Sequence, residues 1–186
     1  MIKYVIGDAT EPQGEGNKLI IHCCNDVGGW GRGFVLALSR KWDRPEREYR
    51  AWAKRGWFHA PLDSLCAPFN PSTEEPYIKN EFRMGQIQVV GVDPYVYVVN
   101  MVGQRDYCDL KIKVGDTNLT LPPVRYGAIT ECLMRVAEKA KELDATVHCP
   151  RFGSALAGGE WELIATIIDS TLIRSGVEVT VYDLEG

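Results

Sequence analysis

The chain has 186 residues, 45% of them hydrophobic and 25% charged, and its 21 Lys and Arg against 25 Asp and Glu leave a formal charge of −4. These are ordinary globular values at a length that can bury a substantial core. The absence of a basic run argues against a nucleic-acid-coating surface, and no apolar stretch is long enough to span a bilayer. With no secretion-signal pattern at the N-terminus, and six cysteines (Cys23, Cys24, Cys66, Cys108, Cys132, Cys149) that form no CxxC pair, the expectation is a cytoplasmic protein of a reducing compartment.

Ile2 to Ile6 reads as a short strand ending in Gly7-Asp8-Ala9-Thr10, and Lys18 to Cys23 as a second strand. A glycine-rich turn, Gly28-Gly29-Trp30-Gly31-Arg32-Gly33, opens into helical spacing at Phe34, Val35, Leu38 and Trp42. Pro45 suits the first turn of a further helix over 46–55. Residues 58–83, with Pro61, Pro68, Pro71 and Pro76, read as an irregular surface excursion. Residues 86–92 and 95–101 are β-rich runs around Asp93-Pro94, a hairpin signal, and 103–123 is a second irregular stretch. A helix is expected over 124–143, a strand over 145–150, a second glycine turn over 153–159, a helix over 161–174 and a last strand over 178–182. Alternating strands and helices with no linker predict one domain over 1–186. Its expected fold is a three-layer α/β/α sandwich around a mixed sheet of about six strands. Ligands of such sheets sit at the carboxyl ends of the strands, the edge to which both glycine turns belong.

A glycine-rich turn at a helix N-terminus offers unpaired backbone N–H groups and the positive end of the helix dipole, and so suits an anion. Two on neighbouring strand ends could grip a diphosphate from both sides. Asp8 could accept a hydrogen bond from an exocyclic amine, or serve as a turn aspartate. Asn25 could hold a ribose hydroxyl, or belong to ordinary strand-end turn chemistry. His22 and His148, near the ends of two strands, could shuttle protons or be packed core histidines. Phe152-Gly153-Ser154-Ala155-Leu156 is not a nucleophile elbow, and adjacent His and Cys in a strand point to opposite faces, so no metal site is expected.

Gly7-Asp8-Ala9-Thr10, Ile21-His22-Cys23-Cys24-Asn25 with its glycine turn, Pro150-Arg151-Phe152-Gly153 through Gly158-Gly159-Glu160-Trp161-Glu162, and Val179-Thr180-Val181-Tyr182 together resemble a macrodomain. The likeness runs in order from residue 2 to 183. It is similar to the branch of ADP-ribose-1''-phosphate phosphatases and terminal ADP-ribose glycohydrolases. The resemblance implies ADP-ribose, or a 1''-substituted derivative, as a small-molecule ligand, with no cofactor. By position it implies that Asp8 binds the adenine amine, Ala9 makes the adjacent backbone contact and Asn25 holds the distal ribose. It also implies that Gly29, Trp30, Gly31, Arg32, Gly33 and Phe34 form one diphosphate loop. Gly153, Ser154, Ala155, Leu156, Ala157 and Gly158 would form the other, with Tyr182 near the adenine. His22 falls where the yeast-type phosphatases place a histidine beside the distal ribose.

Departures from the pattern bear on mechanism. Val35 stands where some members have a catalytic aspartate. Gly103 and Ala157 stand in the stretches where the glycohydrolases carry a lysine and an acid, which disfavours lysine-lyase chemistry. The expected activity is hydrolysis at the distal ribose with His22, Asn25 and Asp106 as candidate catalytic residues. The alternative is a non-catalytic module that recognises or sequesters ADP-ribose.

Overall fold

The computed structural model describes residues 1–61, 77–154 and 157–184. Strands β1 (Lys3–Ile6) and β2 (Asn17–Asn25) lead into helices α1 (Phe34–Lys41) and α2 (Arg44–Arg55). An antiparallel pair, β3 (Trp57–Pro61) and β4 (Tyr77–Glu81), precedes the hairpin of β5 (Ile87–Asp93) and β6 (Val96–Gln104). A second pair, β7 (Leu110–Val114) and β8 (Thr117–Leu121), is followed by α3 (Tyr126–Leu143), β9 (Ala145–Pro150), α4 (Trp161–Ile168) and β10 (Val179–Asp183). Six strands form one sheet in the order β1-β10-β9-β2-β6-β5, parallel throughout except for β5. This is the expected α/β sandwich. Among the described residues no helix is long and apolar enough to cross a membrane.

Burial on both faces explains why the central strands are apolar runs rather than alternating ones. Leu19 and Ile21 of β2 join Val99, Met101, Val147, Cys149 and Val181 against α3 and α4. Ile20 and Cys24 join Val98 and Val102 against Leu38 of α1 and Tyr49 and Trp52 of α2. Helix α3 buries Ile129, Cys132, Leu133, Val136, Ala137, Ala140 and Leu143 at helical spacing and has no side-chain N-cap. A cap is worth about 1 kcal/mol, whereas each large buried side chain contributes about 1.5–3 kcal/mol, so packing holds this helix.

Two expectations need correction. The excursion over 58–83 contains backbone pairing, from Trp57 opposite Glu81 to Pro61 opposite Tyr77, while residues 62–76 and Cys66 with them lie outside the described residues. The stretch 103–123 is not irregular either. Gly103 and Gln104 extend β6, and Leu110-Lys111-Ile112-Lys113-Val114 pairs with Thr117 to Leu121 around a Gly115-Asp116 turn in which Gly115 takes φ +61°. The alternation and the Gly-Asp turn were readable signals. No residue of this hairpin is buried, so no core face announces it.

Because β1, β10, β9, β2 and β6 run parallel, their carboxyl ends share one edge. Both glycine loops leave the sheet there. At the end of β6 the backbone is crowded: a Cβ on Gly103 would stand 2.8 Å from Cys23 Sγ and 2.9 Å from Ile129 Cγ1. Any side chain there, a lysine included, requires the core to move. Gly103→Ala is expected to destabilise the protein by about 1–3 kcal/mol, seen as a lower urea midpoint at unchanged slope. An unchanged midpoint would mean that Cys23 and Ile129 yield without cost.

Candidate functional site

The two glycine loops line one cleft of about 1010 Å³ at that carboxyl edge, roomy enough for a molecule of dinucleotide size. The first wall starts at Asn25, which is 7% exposed. Its Oδ1 accepts from Val27 N–H at 3.1 Å and Gly29 N–H at 2.8 Å, and its Nδ2 donates to Gly29 O at 2.7 Å. Tyr49 of α2, fully buried, donates its hydroxyl to Asn25 O at 2.6 Å. The amide thus shapes the loop and keeps one N–H to offer elsewhere. Beyond it, Gly33 caps α1 at φ +74° with no side-chain acceptor. Among the described residues the N–H groups of Gly31, Arg32, Gly33, Phe34 and Val35 have no acceptor, and all five residues line the cleft.

Below the loop, His22 lines the cleft and heads a buried polar row without charge. His22, Asn100 and Gln88 stand at one register across β2, β6 and β5. Asn100 Nδ2 donates to Pro45 O at 3.2 Å and Gln88 Oε1 at 3.0 Å, and Gln88 Nε2 donates to Glu48 O at 3.1 Å. Asn100 Oδ1 is therefore the acceptor left for His22 Nε2–H, at 2.7 Å. The proton sits on Nε2, and Nδ1 lies 3.6 Å from Cys24 Sγ. Burial lowers the His22 pKa from 6.5 to about 4, only partly offset by the Asn100 hydrogen bond, so the ring is neutral at pH 7. Trp30 meets it edge-on at 5.4 Å. Cys23 also lines the cleft, but burial pushes its thiol up to about 12, which removes it as a nucleophile at neutral pH.

At the β1 end, exposed Asp8 uses Oδ1 to accept from Thr10 N–H at 2.8 Å, and Oδ2 has no partner among the described residues. Ala9 is buried beside it, and the Tyr182 ring, 4% exposed, forms part of the same wall. The Tyr182 hydroxyl accepts from Gln13 N–H at 3.0 Å and lies 2.9 Å from His148 Nδ1. With Thr146 Oγ1 at 2.8 Å from its Nε2, His148 is a packed, fully bonded core residue. Burial first, then the Lys18 and Lys3 charges, lower its pKa to about 4.

The second wall turns at Gly153, φ +73°, and closes when Gly159 N–H donates to Gly153 O at 2.9 Å. A Cβ on Gly159 would lie 2.5 Å from that same carbonyl oxygen. Gly153 and Ala157 line the cleft; Ser154 and Gly158 do not, and Ala155 and Leu156 lie outside the described residues. Ser154 Oγ donates instead to Arg151 O at 2.9 Å. Asp106 is not part of the lining either. Asp26 Oδ1 accepts its N–H at 2.8 Å, and its carboxylate caps Tyr107 N–H at 2.6 Å. Its neighbours Tyr107 and Cys108 reach the cleft, the Tyr107 ring against Gly29. Sequence reasoning missed these two, together with Gln104, Arg40 and Arg151, because only tertiary packing brings their loops and helix faces to this edge. Arg151 is bidentate to Asp183 at 2.6 and 2.8 Å, whereas Arg32 and Arg40 have no acidic partner among the described residues. Asp8 is the one carboxylate among the described lining residues, so this acidic protein presents a cleft suited to anions. Among the described residues no three His, Cys, Asp or Glu converge as metal ligands would.

The two histidines set a pH dependence. Both have folded-state pKa values below 6.5, so between pH 6.5 and about 4 the unfolded chain binds more protons and stability falls as pH falls. The slope is expected to reach about 1.4 kcal/mol per pH unit for each ring. Urea midpoints measured from pH 7 to 4.5 should drop, and His148→Gln should flatten the curve in that window. A curve identical to that of the unsubstituted protein would discard the assignment of His148.

No family model matches the chain. A solved protein from Bacteroides thetaiotaomicron is 44% identical, with a TM-score of 0.79 over 99% of this chain and 98% of its own. A macrodomain protein from Streptomyces coelicolor is 45% identical, with a TM-score of 0.73 and full coverage of both chains. The structure of Thermosipho africanus DarTG in complex with ADP-ribose shares the fold at 13% identity, with a TM-score of 0.60 over 90% of this chain and 38% of its own. Among curated relatives, the chromodomain-helicase-DNA-binding protein 1-like of Danio rerio is 27% identical over 184 residues; this chain covers only 15% of its length. The ADP-ribose 1''-phosphate phosphatase of Candida albicans is 24% identical over 170 residues, covering 87% of this chain and 88% of its own. With a nearly half-identical macrodomain protein matched from end to end, and both glycine loops on one cleft, this chain belongs to the macrodomain family.

Proposed function

We propose that residues 1–186 act as one macrodomain that binds ADP-ribose and hydrolyses a derivative of it at the distal ribose, an ADP-ribose-1''-phosphate or an ADP-ribosyl ester. The observation that carries this reading is the wall of unbonded N–H groups from Gly31 to Val35 at the positive end of α1. A diphosphate is the anion such a wall suits, faced from the second glycine loop by Gly153 and Ala157. In this reading the free Oδ2 of Asp8 accepts the adenine amine, Ala9 supplies the adjacent backbone contact and Tyr182 packs near the base. The ligand then runs from β1 toward β6, where the remaining N–H of Asn25 meets the distal ribose.

Hydrolysis adds water across the bond to the 1'' substituent and releases ADP-ribose with phosphate or a carboxylic acid. Proximity and the backbone donors supply most of the assistance. His22 is neutral at pH 7, and its Nε2–H is committed to Asn100, so its role is to orient rather than to protonate. Asp106 is not among the residues that line the cleft, and this reading gives it no part. The name of the Candida relative and the ligand of the Thermosipho structure support the substrate class. A second reading, recognition without turnover, is favoured by the same neutral His22 and by the tethered Asn25 amide.

Calorimetry with ADP-ribose and phosphorus NMR on ADP-ribose-1''-phosphate separate the two. Binding with phosphate release supports the hydrolase, binding without product supports the module, and no binding removes both. Asp8→Ala is expected to weaken ADP-ribose by about tenfold or more, the loss of one hydrogen bond to a charged acceptor. Phosphate release that survives His22→Ala unchanged would take the histidine out of the mechanism.

A further inference from the structure

Helix α2 contributes nothing to the cleft lining, yet it grips the first glycine loop from behind. The Arg50 guanidinium donates to Trp30 O at 2.9 Å through Nη2 and to Gly28 O at 3.3 Å through Nη1. Its Nε donates to Glu46 Oε1 at 2.8 Å. The other oxygen of Glu46 accepts from Ser39 Oγ at 2.9 Å, and Ser39 Oγ accepts from the indole Nε1–H of Trp30 at 2.8 Å. The circuit closes on itself: the carbonyl and the indole of Trp30 are both tied, through Arg50 and Ser39, to one carboxylate.

This circuit has a directional consequence. In a trans peptide the C=O and the following N–H point in opposite directions. A Trp30 carbonyl turned back toward α2 therefore sends the Gly31 N–H forward, into the cleft that Gly31 lines. Apart from its two chain neighbours, nothing lies within 4 Å of where a Gly31 Cβ would be, so the backbone there is open to an approaching anion. We infer that Arg50, held by Glu46, is a positioning residue that turns the Trp30–Gly31 peptide so that its N–H serves as a diphosphate donor. The inference rests on the ADP-ribose reading for its ligand, but the peptide orientation itself is a property of the ligand-free protein.

Two measurements test it. In the ligand-free protein, the residual dipolar coupling of the Gly31 N–H reports that vector directly; Arg50→Ala should change it while leaving the Gly153 coupling in place. In ADP-ribose titrations, Arg50→Ala should bind about tenfold more weakly and lose most of the Gly31 amide shift. Arg50→Lys should recover part of both, because one ammonium reaches one carbonyl where the guanidinium reaches two. Arg50 is an exposed residue whose ion pair adds little stability, so the unfolding temperature should stay within a few degrees. A Gly31 coupling unchanged by Arg50→Ala would overturn the inference whatever the ligand. Failure of the unsubstituted protein to bind ADP-ribose would instead remove the ligand reading and leave the coupling to decide the role of Arg50.

Discussion

The first wall of the cleft depends on one side-chain amide. Asn25 stands at the last position of β2 and takes hold of Gly29 by both its N–H and its carbonyl, so the chain turns back on itself within four residues. Tyr49 fixes the asparagine from below, and the loop can then run on to Gly33 and the start of α1 with its N–H groups from Gly31 onward unbonded among the described residues. Unpaired backbone donors are costly when buried and useful when they face a cleft. Their placement here follows from where β2 ends, at Asn25, one residue beyond a register shift in its pairing with β6.

Beneath that wall the protein places polarity without charge. The row His22, Asn100 and Gln88 crosses three strands of a sheet buried on both faces, a setting in which an isolated charge would be expensive and a fully bonded neutral network is not. Each amide has a backbone carbonyl of α2 as an acceptor, at Pro45 and Glu48. Helix α2 is thereby tied to the sheet by this row and to the start of the glycine loop by Tyr49. Among the described lining residues, positive charge without an acidic partner enters through the exposed Arg32 and Arg40, where solvent lowers the cost of charge.

Much of this was legible beforehand, for identifiable reasons. The apolar runs at 18–23 and 145–150, each followed by a glycine turn, read as strands feeding helices, and the structure puts both turns on one cleft. The helical spacing of Ile129, Leu133, Val136 and Ala140 marks a buried stripe that α3 does bury. Pairing in 57–61 with 77–81, and in 110–121, escaped notice because prolines dominate the first and no buried face marks the second. Within the site, residue type misled where a side chain was consumed locally. Ser154 bonds its own turn and Asp106 caps Tyr107, so neither reaches the cleft that its loop approaches.

By itself the sequence determined the alternation of strands and helices, the two glycine turns, and the carboxylate and aromatic at Asp8 and Tyr182 that flank them. These are local signals, written in periodicity and in residues whose backbone freedom is unusual. Only the tertiary structure decided which nitrogen of His22 carries the proton, that Asn25 spends its amide on the loop, that Tyr107 and not Asp106 faces the cleft, and that Arg50 reaches the loop from a helix twenty residues away. The His22 and Arg50 bonds join segments distant in the chain, and the local turns at Asn25 and Asp106 are held by such partners too, Tyr49 for the first and Asp26 for the second. Such a bond exists only after the sheet has brought both ends together, and no pattern along one strand or helix can encode it.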